Sequence, residues 1–136
     1  AAQRLASLFV NEPTVGGYIC HKTGAGHQDF SAPEVIEIKP FEGLRWQKPV
    51  AVLTNRRTFS AANAFVMYLK GLPNVTVVGD RTGGGLLDRE MRHTESGILP
   101  DVKTDITPED YARGTDTILE TARRLLAEKA NGEAGA

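Results

Sequence analysis

The chain has 136 residues, 40% of them hydrophobic and 24% charged, which is room for one domain with its own core and not for two of ordinary size. Sixteen basic and seventeen acidic residues leave a formal net charge of -1, and no basic stripe dominates any stretch, which argues against broad binding to nucleic acid or an anionic membrane. A single cysteine excludes an internal disulfide framework, and no apolar run reaches membrane-spanning length.

The first ten residues carry a helical pattern in Leu5, Ala6, Leu8 and Phe9. No capping sequence precedes it, and the basic start and long apolar middle of a signal peptide are lacking. Asn11-Glu12-Pro13 breaks the pattern. Tyr18 to His21 reads as a short strand, with Cys20 as a buried structural thiol rather than a catalytic one, and Gly24-Ala25-Gly26 as a turn. Val35 to Lys39 alternates apolar and polar positions like a half-buried strand. Pro40 to Lys48 is a loop holding Trp46, whose ring either lines a substrate groove or packs over a sheet edge.

Pro49 to Thr54 is a continuous apolar run that predicts a strand buried on both faces, the habit of parallel sheets covered by helices. After a turn over Asn55 to Phe59, one apolar stripe of Ala61, Ala62, Phe65, Val66, Leu69 and Leu72 marks a helix that Gly71 and Pro73 end. Val75 to Gly79 is a second buried strand, so residues 49–79 form a strand-helix-strand unit. Gly83-Gly84-Gly85 follows. No Gly-Lys-Ser/Thr comes after it, so loop glycines beside a groove fit better than a phosphate cradle. Ile98 to Val102 is a turn into a short strand. Thr107 caps a helix with Pro108 at its first position, and the final helix sets Ile118, Leu119, Ala122, Leu125 and Leu126 on one face. Asn131 to Ala136 reads as a frayed tail. The whole is one α/β unit without internal repeats.

Ser60 stands at the junction of the 49–54 strand and the 61–72 helix. A serine there projects from the carboxyl edge of the sheet, where open α/β folds place their ligands. The helix end behind it offers unpaired N–H groups and partial positive charge, which suit an oxyanion, with Ala61 N–H as the natural donor. The competing reading is a plain helix cap, the commoner task of a serine at such a place. The flanking residues are not the Gly-x-Ser-x-Gly of a hydrolase elbow, and position alone leaves the two readings open.

The stretch Lys48-Pro49-Val50-Ala51-Val52-Leu53-Thr54-Asn55-Arg56-Arg57-Thr58-Phe59-Ser60-Ala61-Ala62-Asn63 resembles the nucleophile segment of the carboxy-terminal-processing (tail-specific) serine peptidases, family S41. The likeness continues through Leu72-Pro73-Asn74-Val75-Thr76-Val77-Val78-Gly79-Asp80-Arg81-Thr82-Gly83-Gly84-Gly85. His93-Thr94-Glu95-Ser96-Gly97-Ile98-Leu99-Pro100-Asp101 is similar to the family's later segment, where a Gly-x-x-Pro-Asp turn follows a polar strand. Upstream, Gly17 to Gly24 and Arg45 to Pro49 are similar to a bacterial subgroup.

The resemblance covers nearly the whole chain. It implies a ClpP/crotonase-like α/β superfold of stacked β-β-α units. Residues 1–136 would be the C-terminal, nucleophile-bearing part of a peptidase catalytic domain whose N-terminal part lies elsewhere, and the isolated fragment would be inactive. It also implies cleavage of a polypeptide substrate through a Ser60 acyl-enzyme, with Ala61 N–H holding the oxyanion and neither cofactor nor metal. A bacterial, extracytoplasmic location and a peptide-binding PDZ domain upstream come from the resemblance alone. Substrate and oligomeric state stay undefined.

Two departures matter. Where the best-known members carry an activating lysine, this sequence has Gly85, so the Ser-Lys dyad is absent. The chain is instead similar to the tricorn-like branch, which uses serine, histidine and glutamate. In that branch the glutamate precedes the Gly-x-x-Pro-Asp turn, and Glu95 is the matching position, against the alternative of a solvated strand carboxylate. The histidine comes from well upstream of the nucleophile, and that region has no counterpart here. His21 and His27 lie too close to the start, and His93 aligns with a different part of the family. All three read as structural or exposed, and the spacing of His21 and His27 is weak support for a metal site.

The family also places a β-hairpin between Gly85 and Asp88, where this chain passes directly through Leu86-Leu87. That predicts a chain gap close to residues 85–86. Two other functions stay in contention: a non-catalytic peptide-binding or scaffold module of the same fold, and a crotonase-like acyl-CoA enzyme that would not need Ser60.

Overall fold

The computed structural model describes residues 1–84 and 96–133. Helix α1 (Ala2–Ala6) leads into an antiparallel pair, β1 (Thr14–Ile19) and β2 (Glu34–Ile38). The first strand starts earlier than Tyr18 and runs through Gly16 and Gly17, which read as punctuation in a sequence. The ladder slips between Val15 and Gly17 to accommodate the extra residue. A Cβ at Gly16 would sit 2.8 Å from Ile38 Cγ1 and 2.9 Å from Tyr68 Cδ1, so glycine is what lets β1 lie against its neighbours. Cys20 falls just beyond β1 and is only half-buried. The expectation of a buried strand thiol is therefore corrected: the strand ends one residue too soon to carry it inward.

The strand-helix-strand reading of residues 49–79 holds. Strand β3 (Val50–Thr54) runs parallel to β4 (Val75–Gly79), in register from Val50↔Val75 to Thr54↔Gly79, with α2 (Ala61–Leu69) as the connection. Strand β5 (Val102–Lys103) adds in parallel on the other side of β4, giving the order β3-β4-β5. The central strand is buried almost throughout, whereas β3 is only half-buried and its Leu53 is 41% exposed. Helices do cover both faces of β3, but it is an edge strand among the described residues, so burial on both faces is met by β4 and not by β3.

Side-chain alternation along the strands builds two cores. On one face, Val75 and Val77 pack with α2 and with Ala6 from α1, Val10 from the segment after it and Ile38 from β2; Phe9 meets Phe65 edge-to-face at 6.2 Å. On the other face, Val78 packs with Ile118 and Ala122, joined by Ala51, Val102 and Leu125. Ile118, Ala122 and Leu125 belong to α4 (Thr117–Glu133), which follows the short α3 (Pro108–Ala112), whereas Ala51 and Val102 come from β3 and β5. The Thr107 cap is formed as expected, its Oγ1 accepting Asp110 N–H at 3.1 Å with Pro108 at the helix start. Gly114, at φ 69, separates the two helices. No described helix is long and apolar enough to cross a membrane.

The single apolar stripe expected of α2 is also corrected. Because α2 lies between the sheet and the α1/β1–β2 layer, it is buried nearly all round: Asn63, Ala64, Val66, Met67, Tyr68 and Leu69 are all inside. Ala61 and Ala62, placed on that stripe, are exposed in the first turn.

Candidate active site

The carboxyl ends of β3 and β4 are locked together before the chain turns toward Ser60. Thr54 Oγ1 donates to Asp80 O at 2.8 Å and Asp80 N–H returns to Thr54 O at 2.9 Å. Gly79, at φ 134, is what permits this approach, since a Cβ there would stand 2.0 Å from Thr54 O. Asp80 also accepts Arg56 Nε at 2.8 Å. That hydrogen bond, helped by the Arg81 backbone and opposed by some desolvation, holds the Asp80 carboxyl below the usual carboxylate range and raises the Arg56 guanidinium.

The turn itself is closed by its own polar groups. Asn55 Oδ1 accepts Arg57 N–H at 2.9 Å, Thr58 Oγ1 accepts Asn55 N–H at 3.1 Å, and Thr58 N–H donates to Asn55 O at 2.9 Å. These are the short side-chain-to-backbone bonds that asparagine and threonine favour in turns. From outside the turn, Gly83 N–H donates to Thr58 O at 2.8 Å. A Cβ on Gly83 would come within 3.2 Å of both Arg56 O and Phe59 Cβ, so this segment lies directly against the turn. With its N–H already committed, Gly83 is not free to cradle a phosphate.

Ser60 emerges from this clamp with φ 57 and ψ -122, and it is the one non-glycine residue at positive φ among those described. Such a backbone costs about 1–3 kcal/mol and persists only where its surroundings impose it. The side chain is exposed, and although Ser60 occupies the cap position of α2, its hydroxyl makes no cap hydrogen bond. A capping serine adopts extended backbone and turns its oxygen back to the helix N–H groups; Ser60 does neither. Its carbonyl accepts Ala64 N–H at 2.9 Å, and Ala62 N–H reaches Phe59 O at 3.2 Å, whereas Ala61 N–H has no acceptor among the described residues. An exposed hydroxyl and a spare N–H at the positive end of a nine-residue helix therefore lie side by side.

The other candidates are less closely gathered. Glu95, His93 and the expected gap at residues 85–86 lie outside the described residues. His21 and His27 are both exposed on the connection between β1 and β2, and no hydrogen bond or ion pair among the described residues joins either to Ser60. No group of three or more metal-ligating side chains occurs among the described residues. Trp46 is 49% exposed, with its backbone N–H bonded to Leu8 O at 2.7 Å.

Sequence reasoning missed Asn63 and Thr82. Asn63 is fully buried and Thr82 nearly so. Thr82 Oγ1 donates to Asn63 Oδ1 at 2.6 Å and accepts Ile98 N–H at 2.7 Å. The signal that could have found them is an asparagine set among apolar positions of a core helix, which demands a buried partner.

Residues 1–108 match the family model for peptidase family S41. A protein of Sulfurisphaera tokodaii described as a Tricorn-like protease C-terminal subunit is 27% identical over 139 residues, covering 83% of this chain and 15% of that protein. The crystal structure of a Parabacteroides merdae protein described as a peptidase matches with TM-score 0.87 and 42% identity, over 92% of this chain and 46% of the other. The tricorn protease structure matches with TM-score 0.58 and 21% identity over 95% of this chain and 14% of its own, a likeness of fold alone. The fold is the ClpP/crotonase-like α/β arrangement that the resemblance implied. The chain spans less than half the length of each of these relatives.

Proposed function

The chain belongs to peptidase family S41, and from that premise we propose that it carries the nucleophile of a serine peptidase, with residues 1–136 as the nucleophile-bearing part of the catalytic domain. The observation that carries this reading is the backbone of Ser60, held at φ 57 and ψ -122 with its hydroxyl exposed and uncapped. A serine kept in a costly conformation without serving the helix it starts is a candidate for chemistry.

In the proposed reaction Ser60 Oγ bonds to the scissile carbonyl carbon while a base takes its proton. The carbonyl oxygen becomes an oxyanion, which Ala61 N–H stabilises together with the helix end. Collapse breaks the C–N bond, the base returns the proton to the leaving amine, and water then hydrolyses the Ser60 ester. We assign the base to a histidine of the longer protein, because His21 and His27 have no described connection to Ser60, and we assign its orientation to Glu95 on the family resemblance. The extracytoplasmic location and upstream PDZ domain rest on that resemblance and belong to the same proposal.

The test is covalent labelling of the full-length protein with a serine-directed fluorophosphonate, followed by peptide mass spectrometry. The reading requires the label on Ser60 and loss of peptide hydrolysis in Ser60→Ala. An unlabelled Ser60 with hydrolysis unchanged in the variant would sink it by moving the nucleophile elsewhere, and an unlabelled Ser60 with no hydrolysis by the wild type would leave a scaffold or an acyl-CoA enzyme of the same fold.

A further inference from the structure

Buried polar groups tie the helix that begins at Ser60 to the two segments running beside it. Asn63 lies one turn into α2, fully buried, where an asparagine is costly unless it is bonded. Its Oδ1 accepts the Thr82 hydroxyl at 2.6 Å, and Thr82 Oγ1 in turn accepts Ile98 N–H at 2.7 Å. The direction of this relay follows from Asn63 Oδ1, which can only accept, so the threonine proton goes to it and a lone pair of Thr82 Oγ1 takes Ile98 N–H. Thr82 N–H closes a second bond to Ile98 O at 3.1 Å. The next residue, Gly83, is the one whose N–H holds Thr58 O and whose backbone presses on Phe59. A continuous chain of contacts thus runs from the interior of α2, through Thr82 and Gly83, to the turn that sets the backbone of Ser60.

We propose that Asn63 and Thr82 are positioning residues for Ser60. The relay fixes where residues 82–83 sit against the turn, and that contact holds Ser60 in its strained conformation. Core filling does not account for the pair, since apolar residues of similar size would fill the space without the cost of burying an amide and a hydroxyl. The proposal rests on the reading of Ser60 as the nucleophile, and its test separates the two.

Full-length protein carrying Thr82→Val, Thr82→Ser or Asn63→Ala is titrated with a fluorophosphonate to count reactive Ser60. Turnover of a peptide substrate is then expressed per titrated site, beside KM and the melting temperature. Positioning predicts that Thr82→Val and Asn63→Ala lower kcat per titrated site by about a hundredfold with KM little changed. Thr82→Ser, which keeps the hydroxyl, stays near wild type. A purely structural relay lowers the titratable fraction or the melting temperature and leaves kcat per titrated site intact; that result overturns the proposal. Should Thr82→Val not fold, the same ratio for Asn63→Ala decides the matter. Wild-type protein that turns over peptide without taking label on Ser60 removes the nucleophile reading, and the proposal with it, before any variant is made.

Discussion

Asp101 and Val77 hold each other twice: the Asp101 carboxylate accepts Val77 N–H at 2.8 Å, and Asp101 N–H donates to Val77 O at 2.8 Å. The same carboxylate accepts Lys70 Nζ at 2.5 Å, so one residue joins β4, the end of α2 and the start of β5. Burial opposes its ionisation, but the bonds from Lys70 and Val77 outweigh burial and hold its carboxyl below the usual range. A carboxyl lowered in the folded state adds stability that is present above the unfolded value, about 3.9, and lost as pH falls through the folded one. The melting temperature should therefore drop on acidification below about pH 4. Asp101→Ala should cost about 1–2 kcal/mol at neutral pH, a figure kept modest because the side chain is partly exposed, and should shallow the acid decline. Thermal melts of both proteins across that range check the sign.

Ser60 offers a test in which activity and stability move in opposite directions. Glycine accepts positive φ without strain, so Ser60→Gly should stabilise the fold by about 1 kcal/mol while abolishing hydrolysis. Ser60→Ala should leave stability nearly unchanged, because there is no cap hydrogen bond to lose. A loss of about 1 kcal/mol in Ser60→Ala, the usual cost of removing a cap, would restore the capping reading. Denaturant unfolding of the three proteins is sufficient.

Gly79→Ala should fail to give folded protein. The added Cβ would meet the Thr54 carbonyl, a backbone atom in the middle of the strand-end lock, and positive φ adds strain of its own. Soluble yield and far-ultraviolet circular dichroism are the measurements.

Gly83→Ala is expected to be milder and more selective. Its Cβ would crowd Arg56 O and Phe59 Cβ at 3.2 Å, displacing the turn by a few tenths of an ångström rather than breaking the core. Stability should fall by about 1 kcal/mol, within the ordinary range for a point mutation. Catalysis should fall by more than that loss explains, about tenfold or greater, since small displacements of a nucleophile are costly. Steady-state kinetics beside thermal melts separate the two effects.

What the sequence made legible was local or strongly patterned. The Thr107 cap needs only residues within one turn, and the parallel pairing of β3 with β4 follows from two apolar runs and the helix between them. The early start of β1, at Thr14 and not at Tyr18, was hidden because the reason for glycine at position 16, a close approach to Ile38 and Tyr68, is tertiary. The burial of Asn63 was hidden likewise, since the layer that covers α2 comes from α1 and the β1–β2 pair, far away in the chain. At Ser60 the sequence indicated the place but not the conformation. The turn before it is bonded by Gly83 through Thr58 O, from beyond an entire helix and strand. Glu95 and the expected gap at 85–86 lie outside the described residues.

The clamp on the 55–59 turn also bears on when reactivity appears during synthesis. Until residues 82–83 have left the ribosome, the bond from Gly83 N–H to Thr58 O cannot close, and the costly backbone of Ser60 lacks that support. On the proposed role of Ser60 as nucleophile, its reactivity would then arise only once this contact has closed. On denaturation, the same reading expects loss of the bond between Gly83 and Thr58 to release the turn that leads into Ser60.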